Sequence, residues 1–135
     1  MLRPAVLCLL LLLALLAAGC GGGGGTTYTA AGTAGCLRDK GFTHVTQNPT
    51  KSLIAAFAEN GGIQARAADG NVLTIAFAAD ETQVPSTEAA FRNQASPFYK
   101  KRMRDIMQSQ GNAVMVWQTA PTQEQIDTVK GCLHG

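Results

Sequence analysis

Residues 5–18, AVLCLLLLLALLAA, form an unbroken apolar run without a single charge, and no water-facing surface accommodates it. The run divides the chain in two. It follows MLRP, where Arg3 and the free amine supply positive charge, and it ends in small residues, the order of an export signal. It is also shorter than the roughly 18 residues that a membrane-spanning helix needs, so the expectation is a leader that is removed. The remaining residues suffice for one domain. The overall composition of 46% hydrophobic and 15% charged residues therefore averages a leader with an ordinary soluble fold.

The leader ends at LAAGC, with Leu16, Ala17, Ala18 and Gly19 directly before Cys20. A plain secretory cleavage site calls for small residues and has no use for a cysteine, and such a site would leave Cys20 as a free thiol. The stretch resembles the lipobox of bacterial lipoproteins. That resemblance implies a signal peptide over residues 1–19 and a diacylglycerol on the Cys20 thiol. Cleavage just before Cys20 would make it the acylated first residue, carrying palmitate-type chains. It also implies export and attachment to the extracytoplasmic face of a bacterial membrane. One acyl chain binds marginally, whereas two or three hold a protein stably. Residues 20–35, CGGGGGTTYTAAGTAG, show no apolar periodicity and are expected to be a flexible tether, leaving residues 36–135 as the domain.

Setting aside Cys8 in the leader and Cys20 leaves two cysteines, Cys36 and Cys132, one at each end of that domain. In an oxidising compartment such a pair reads as a structural disulfide, and domain termini commonly lie close together. A redox-active pair is the weaker reading, because the two do not form a Cys-x-x-Cys motif.

Between the cysteines helical and extended patterns alternate. TAGCLRDKG suggests a short helix closed by Gly41, and FTHVTQ (42–47) a strand. Asn48-Pro49 is a plausible start for a helix over TKSLIAAFAEN, with Leu53, Ile54 and Phe57 on one face. Asp69-Gly70 separates two strand-like runs, Ile63 to Ala67 and Val72 to Ala78, as in a tight hairpin. Along the second run Leu73, Ile75 and Phe77 share one face, and Val72, Thr74 and Ala76 the other. A helical segment is expected from about Ser86 to Gln110, divided at Pro97 and capped by Gly111. NAVMVWQ (112–118) is apolar enough for a central strand, and Thr122 to Gln125 has capping-box spacing ahead of a last helix. The expected fold is α+β, a small antiparallel sheet of three or four strands with helices mainly on one face and the termini joined by the disulfide. A split βαβ unit is one arrangement compatible with this order.

Chemical motifs are scarce. The two histidines, His44 and His134, lie far apart, and the sequence contains no His-Glu-x-x-His, Ser-x-x-Lys, Gly-x-Ser-x-Gly or phosphate-binding glycine loop. His44 falls in the first strand as a surface or half-buried residue, and His134 sits where chain ends fray. Met103, Met107 and Met115 are candidate thioether ligands for a soft metal, but the same spacing describes core packing, and no metal or cofactor is expected. FYKKRMR (98–104) places Lys100, Lys101 and Arg104 on one face of a helix, a small basic patch able to meet anionic lipid or an envelope polymer. The formal charge of +2, falling to +1 without Arg3, speaks against nucleic acid as a partner.

The sequence thus points to a non-enzymatic, membrane-anchored lipoprotein of the cell envelope that binds an envelope protein or polymer. The alternative is a carrier of a small ligand or metal held at the membrane, with a pocket built around Trp117, Phe77 or the methionines.

Overall fold

The computed structural model describes residues 26–135; the leader, Cys20 and the pentaglycine lie outside the described residues. Five strands form one antiparallel sheet in the order β1-β2-β3-β5-β4: β1 Thr43–Thr46, β2 Gly62–Arg66, β3 Val72–Phe77, β4 Met107–Gln110 and β5 Ala113–Trp117. The helices are α1 (Ala30–Asp39), α2 (Leu53–Ala56), α3 (Val84–Gln94), α4 (Pro97–Lys100), α5 (Met103–Ile106) and α6 (Gln123–Cys132). A 3-10 turn at Glu81–Gln83 leads into α3.

The expected α+β class, antiparallel sheet and disulfide are all present. Cys36 and Cys132 are bonded across a sequence separation of 96, which ties α1 to α6. Further bonds pin the chain ends beside this bridge. The Thr29 amide donates to the His134 carbonyl at 2.8 Å, and the His134 amide donates to the Thr33 hydroxyl at 3.1 Å. Gly32 permits that approach, since a Cβ there would stand 2.7 Å from the carbonyl oxygens of His134 and Gly135. His134 is accordingly held through its backbone and does not fray.

The closed face of the sheet, covered by α1 and α6, carries most of the core. Ile63, Ala65, Leu73, Ile75, Phe77, Ala113, Met115 and Trp117 alternate along β2, β3 and β5 as period two requires, and all are essentially buried. Leu37 from α1 and Val129 and Leu133 from α6 and its cap pack onto them. The expected antiparallel hairpin forms, with Ile63 opposite Ile75, around Gly70 at φ +90°. The capping box of Thr122 and Gln125 is also formed.

Four expectations are corrected. The folded unit starts before Cys36: α1 begins at Ala30 with Thr29 as its cap, so residues 26–35 are domain and not tether. The helix expected to reach Gln110 ends at Ile106, and Met107–Gln110 is a fifth strand paired with β5. Gly111-Asn112 is the two-residue turn of that hairpin, a dipeptide of the kind that favours such turns. Helices lie on both faces, because Ala55 of α2 and Phe91 of α3 pack on Ala76 and Val114 opposite the closed face. Finally, β3 and β5 pair antiparallel, so the intervening helices do not form a split βαβ unit.

The segment before α1 is anchored by Asn112, which is 1% exposed. Its Oδ1 accepts from the Tyr28 amide at 2.7 Å, and its Nδ2 donates to the carbonyls of Tyr28 at 2.9 Å and Ala78 at 2.8 Å. Asn112→Ala orphans these backbone groups and is expected to cost about 3 kcal/mol, read as a lowered denaturation midpoint. Reduction of the disulfide reopens a long loop in the unfolded chain. A loss of about 4–5 kcal/mol is expected from the chain-entropy relation, measured by thermal unfolding of the Cys36→Ser, Cys132→Ser double variant.

A pH effect arises at the 3-10 turn. Asp80 accepts bonds from the hydroxyl and the amide of Thr82, and these hold its carboxyl below the ordinary aspartate range, the hydroxyl contributing most. A carboxylate with a depressed folded-state pKa stabilises the fold fully above its unfolded pKa and loses that contribution as pH falls through the folded one. The stability advantage over Asp80→Asn should therefore be constant at neutral pH and shrink in acid, a trend that thermal melts at several pH values will show.

Candidate binding groove

The face opposite the closed one is built from three cross-strand rungs. Gly62, Ala76, Val114 and Ser109 make the first; Gln64, Thr74, Val116 and Met107 the second. Arg66 and Val72 make the third, extended by Gln118, whose amide donates to the Val72 carbonyl at 2.9 Å. The first rung is covered and the other two are not, and the reason is local. Gly62 and Ala55 touch so closely that a Cβ on Gly62 would stand 2.2 Å from the Ala55 carbonyl oxygen. That contact seats α2 flat over the first rung.

The same contact overturns the expected orientation of α2. Its cap is Ser52, whose hydroxyl accepts from the Ala55 amide at 3.3 Å, and not Asn48. The small Ala55 faces the sheet, while Leu53 and Phe57, expected to face the core, are 63% and 83% exposed. Apolar periodicity pointed to the large residues. Close backbone approach selected the small one.

The uncovered rungs floor a groove of about 790 Å³. One wall comes from β1 and the loop into α2, with His44, Lys51, Ser52, Leu53 and Ile54; Arg66 rises from the floor beside it. The other wall comes from the end of α3, α4 and α5, where Phe91 and the partly exposed Tyr99 are aromatic and Met103 and Ile106, buried with the closed-face core, lie at the margin. Cationic groups thus gather on one side and apolar ones on the other. The groove lining contains no carboxylate, and among the described residues the ion pair present is Glu88 with Arg92, outside the groove. Lys51 and Arg66 therefore face the groove without a carboxylate partner.

The charged wall has a bulge. Thr43 stands opposite Arg66 and Thr46 opposite Gln64, so β1 carries one more residue than β2 between these pairs. His44 lies within the bulge at φ +50°, in the left-handed region that is uncommon for any residue but glycine. Arg38, in the last turn of α1, steadies the strand by donating to the Val45 carbonyl at 3.2 Å. The expected strand histidine is thus present, exposed and turned to the groove rim.

The remaining candidates divide. Lys100, Lys101 and Arg104 do border one shallow depression, but across the break between α4 and α5 instead of along one helix. Glu88 and Asp105 share that depression, and Glu88 is engaged by Arg92 at 3.4 Å and by the Ser109 hydroxyl at 2.6 Å, so Asp105 alone is left to offset the three cations. Beside it Arg102 stacks over exposed Phe98, 5.3 Å from the ring centroid. The methionine trio is not assembled. Met107 opens β4 opposite Val116 and Met115 lies opposite Gln108, which places their side chains on opposite faces of the sheet. Among the described residues no cluster of three histidine, cysteine or acidic side chains forms a metal site. Phe77 belongs wholly to the closed-face core. Trp117 borders the groove, yet its register opposite Leu73 and its ring, 6.4 Å from Phe42, assign the indole to the closed face.

Gly62→Ala is expected to lift α2 from the first rung, lowering stability by about 1–3 kcal/mol through overpacking. Amide exchange should accelerate at Ala55 and Ala56 before it does in β3. No protein-family model, curated protein or solved structure matches the chain.

Proposed function

We propose that the protein is an exported, lipid-anchored binding domain of the bacterial envelope, non-catalytic, that takes a small ligand in the groove on the open half of its sheet. The observation that carries this reading is the groove itself: a concave site with an apolar wall, several neutral polar side chains and two cations without carboxylate partners. Its volume lies in the range of small-molecule sites, about 300–1,000 Å³. Its ionisable side chains are His44, Lys51, Arg66 and Tyr99, a set suited to holding a negative group. The depression at Lys100 and Arg104 holds two carboxylates among its cations, unlike the groove, and so gives less support to docking of an anionic polymer.

Attachment through Cys20 suits this arrangement. The chain enters the domain beside the Gly111-Asn112 turn, where the Tyr28 ring lies against Gly111 and its backbone is bound by Asn112. The rung of Arg66, Val72 and Gln118 is at the other end of β5, about 17 Å away at 3.4 Å per residue. A lipid on Cys20 would thus hold the domain by one end of the sheet and leave the charged end of the groove remote from the point of attachment.

Intact mass of the protein extracted from its membrane tests the anchoring. The expected species begins at Cys20, carries acyl chains and shows no thiol alkylation before reduction; an unlipidated mature chain overturns that half of the proposal. Val116→Trp, which fills the second rung, tests the groove. It is expected to abolish retention of co-purifying small molecules in native mass spectra while leaving the melting temperature within a few degrees.

A further inference from the structure

The distribution of charge within the groove specifies its ligand more closely. We infer that the groove holds a single-chain anionic amphiphile, with the anionic head at Lys51 and Arg66 and the alkyl chain crossing the sheet over Val116 toward Tyr99. This rests on the groove being the binding site.

Three observations converge on that chemistry. The exposed cations Lys51 and Arg66 both line the β1–β2 side of the groove, and the lining holds no carboxylate to pair with them. A desolvated anion is recognised by such a pair through charge-assisted hydrogen bonds, and Arg66 offers the planar fork that matches a carboxylate or phosphate. Next, the floor between the two walls changes character across the strands. Arg66 on β2 neighbours Val72 on β3, and Gln64 leads through Thr74 to Val116 on β5, a passage of two strand spacings or about 10 Å. Val72, Thr74 and Val116 are only partly buried, in contrast to the complete burial of Leu73, Ile75 and Met115 on the closed face.

Apolar surface at the far side and at the rim completes the case. Tyr99, partly exposed, ends the passage on one side, and Leu53, 63% exposed, lines the other wall. A compact anion alone would leave Leu53 and the partly exposed Val116 and Tyr99 uncovered, and a neutral hydrocarbon would make no ionic contact with Lys51 and Arg66. His44, fixed at the rim by the bulge in β1, adds a third nitrogen-bearing side chain beside the head-group position. The neutral residues between, Ser52, Gln94 and Ser96, supply hydrogen-bonding groups that tolerate either a carboxylate or a phosphate head.

The test is a titration of the full, isotopically labelled chain in phosphatidylcholine nanodiscs, following the backbone amides of Gln64, Thr74 and Val116. Laurate and dodecyl phosphate are the anionic probes, dodecyl maltoside the neutral one, and acetate and inorganic phosphate the heads without tails. Both anionic amphiphiles are expected to saturate these shifts at concentrations at least about tenfold below the maltoside or the bare anions. In the Lys51→Gln, Arg66→Gln variant the anionic probes should weaken about tenfold, with the maltoside unchanged; both residues are exposed, so the fold is retained. Equal binding of the maltoside, equal binding of the bare anions, or indifference to the double substitution overturns the anionic-amphiphile assignment while leaving the groove as the site. Absence of any shift at the three amides with every probe overturns the groove reading as well. Preference between laurate and dodecyl phosphate separates a fatty acid from a phosphate-headed lipid as the natural source.

Discussion

Everything else in the domain rests on the burial of one sheet face by two helices that the chain ends themselves supply. Leu73, Ile75, Phe77, Met115 and Trp117 are removed from water by α1 and α6, and the Cys36–Cys132 bridge prevents those helices from parting. Each large side chain in that ladder contributes about 1.5–3 kcal/mol on full burial, so stability is concentrated there. The opposite face is relieved of that duty. It can remain half-covered, with valine, threonine and glutamine alternating on its exposed rungs, because the fold does not depend on closing it.

The half-cover has a single geometric origin. Gly62 admits the backbone of Ala55, α2 lies flat on the first rung, and its four residues end before they reach the second. On the other side Pro97 and the break after Lys100 divide the chain into short helices, and Met103 and Ile106 of α5 pack into the closed-face core, so the chain does not continue as one helix across the open rungs. A groove with unlike walls follows: cations from β2 and the loop after β1 on one side, and apolar side chains from α3 to α5 on the other. Whether this face is open or covered is thus energetically separable from folding.

Much of the fold was legible in the sequence because its signals are local. The Asp69-Gly70 hairpin, the capping box at Thr122 and the alternation of Leu73, Ile75 and Phe77 each depend on neighbours within a few residues, and each formed as expected. The misreadings share a different cause. MQSQ at 107–110 has no strong strand propensity and became a strand because β5 offered it an edge; the Gly111-Asn112 dipeptide was the available signal. The residues of the groove were missed for the same reason, since Lys51, Arg66, Val116 and Tyr99 are far apart in the chain and ordinary in isolation.

The sequence by itself determined the pairing of the two cysteines of the domain, the hairpin and the two-sided character of its second strand. These follow from composition, cysteine count and a period of two, which need no knowledge of distant contacts. Only the tertiary structure decided which side of α2 faces the sheet, where the sheet stays uncovered and which cations share a wall. Those outcomes depend on the fit of one backbone against another at Gly62 and on strand order, and neither is encoded in any short stretch of residues.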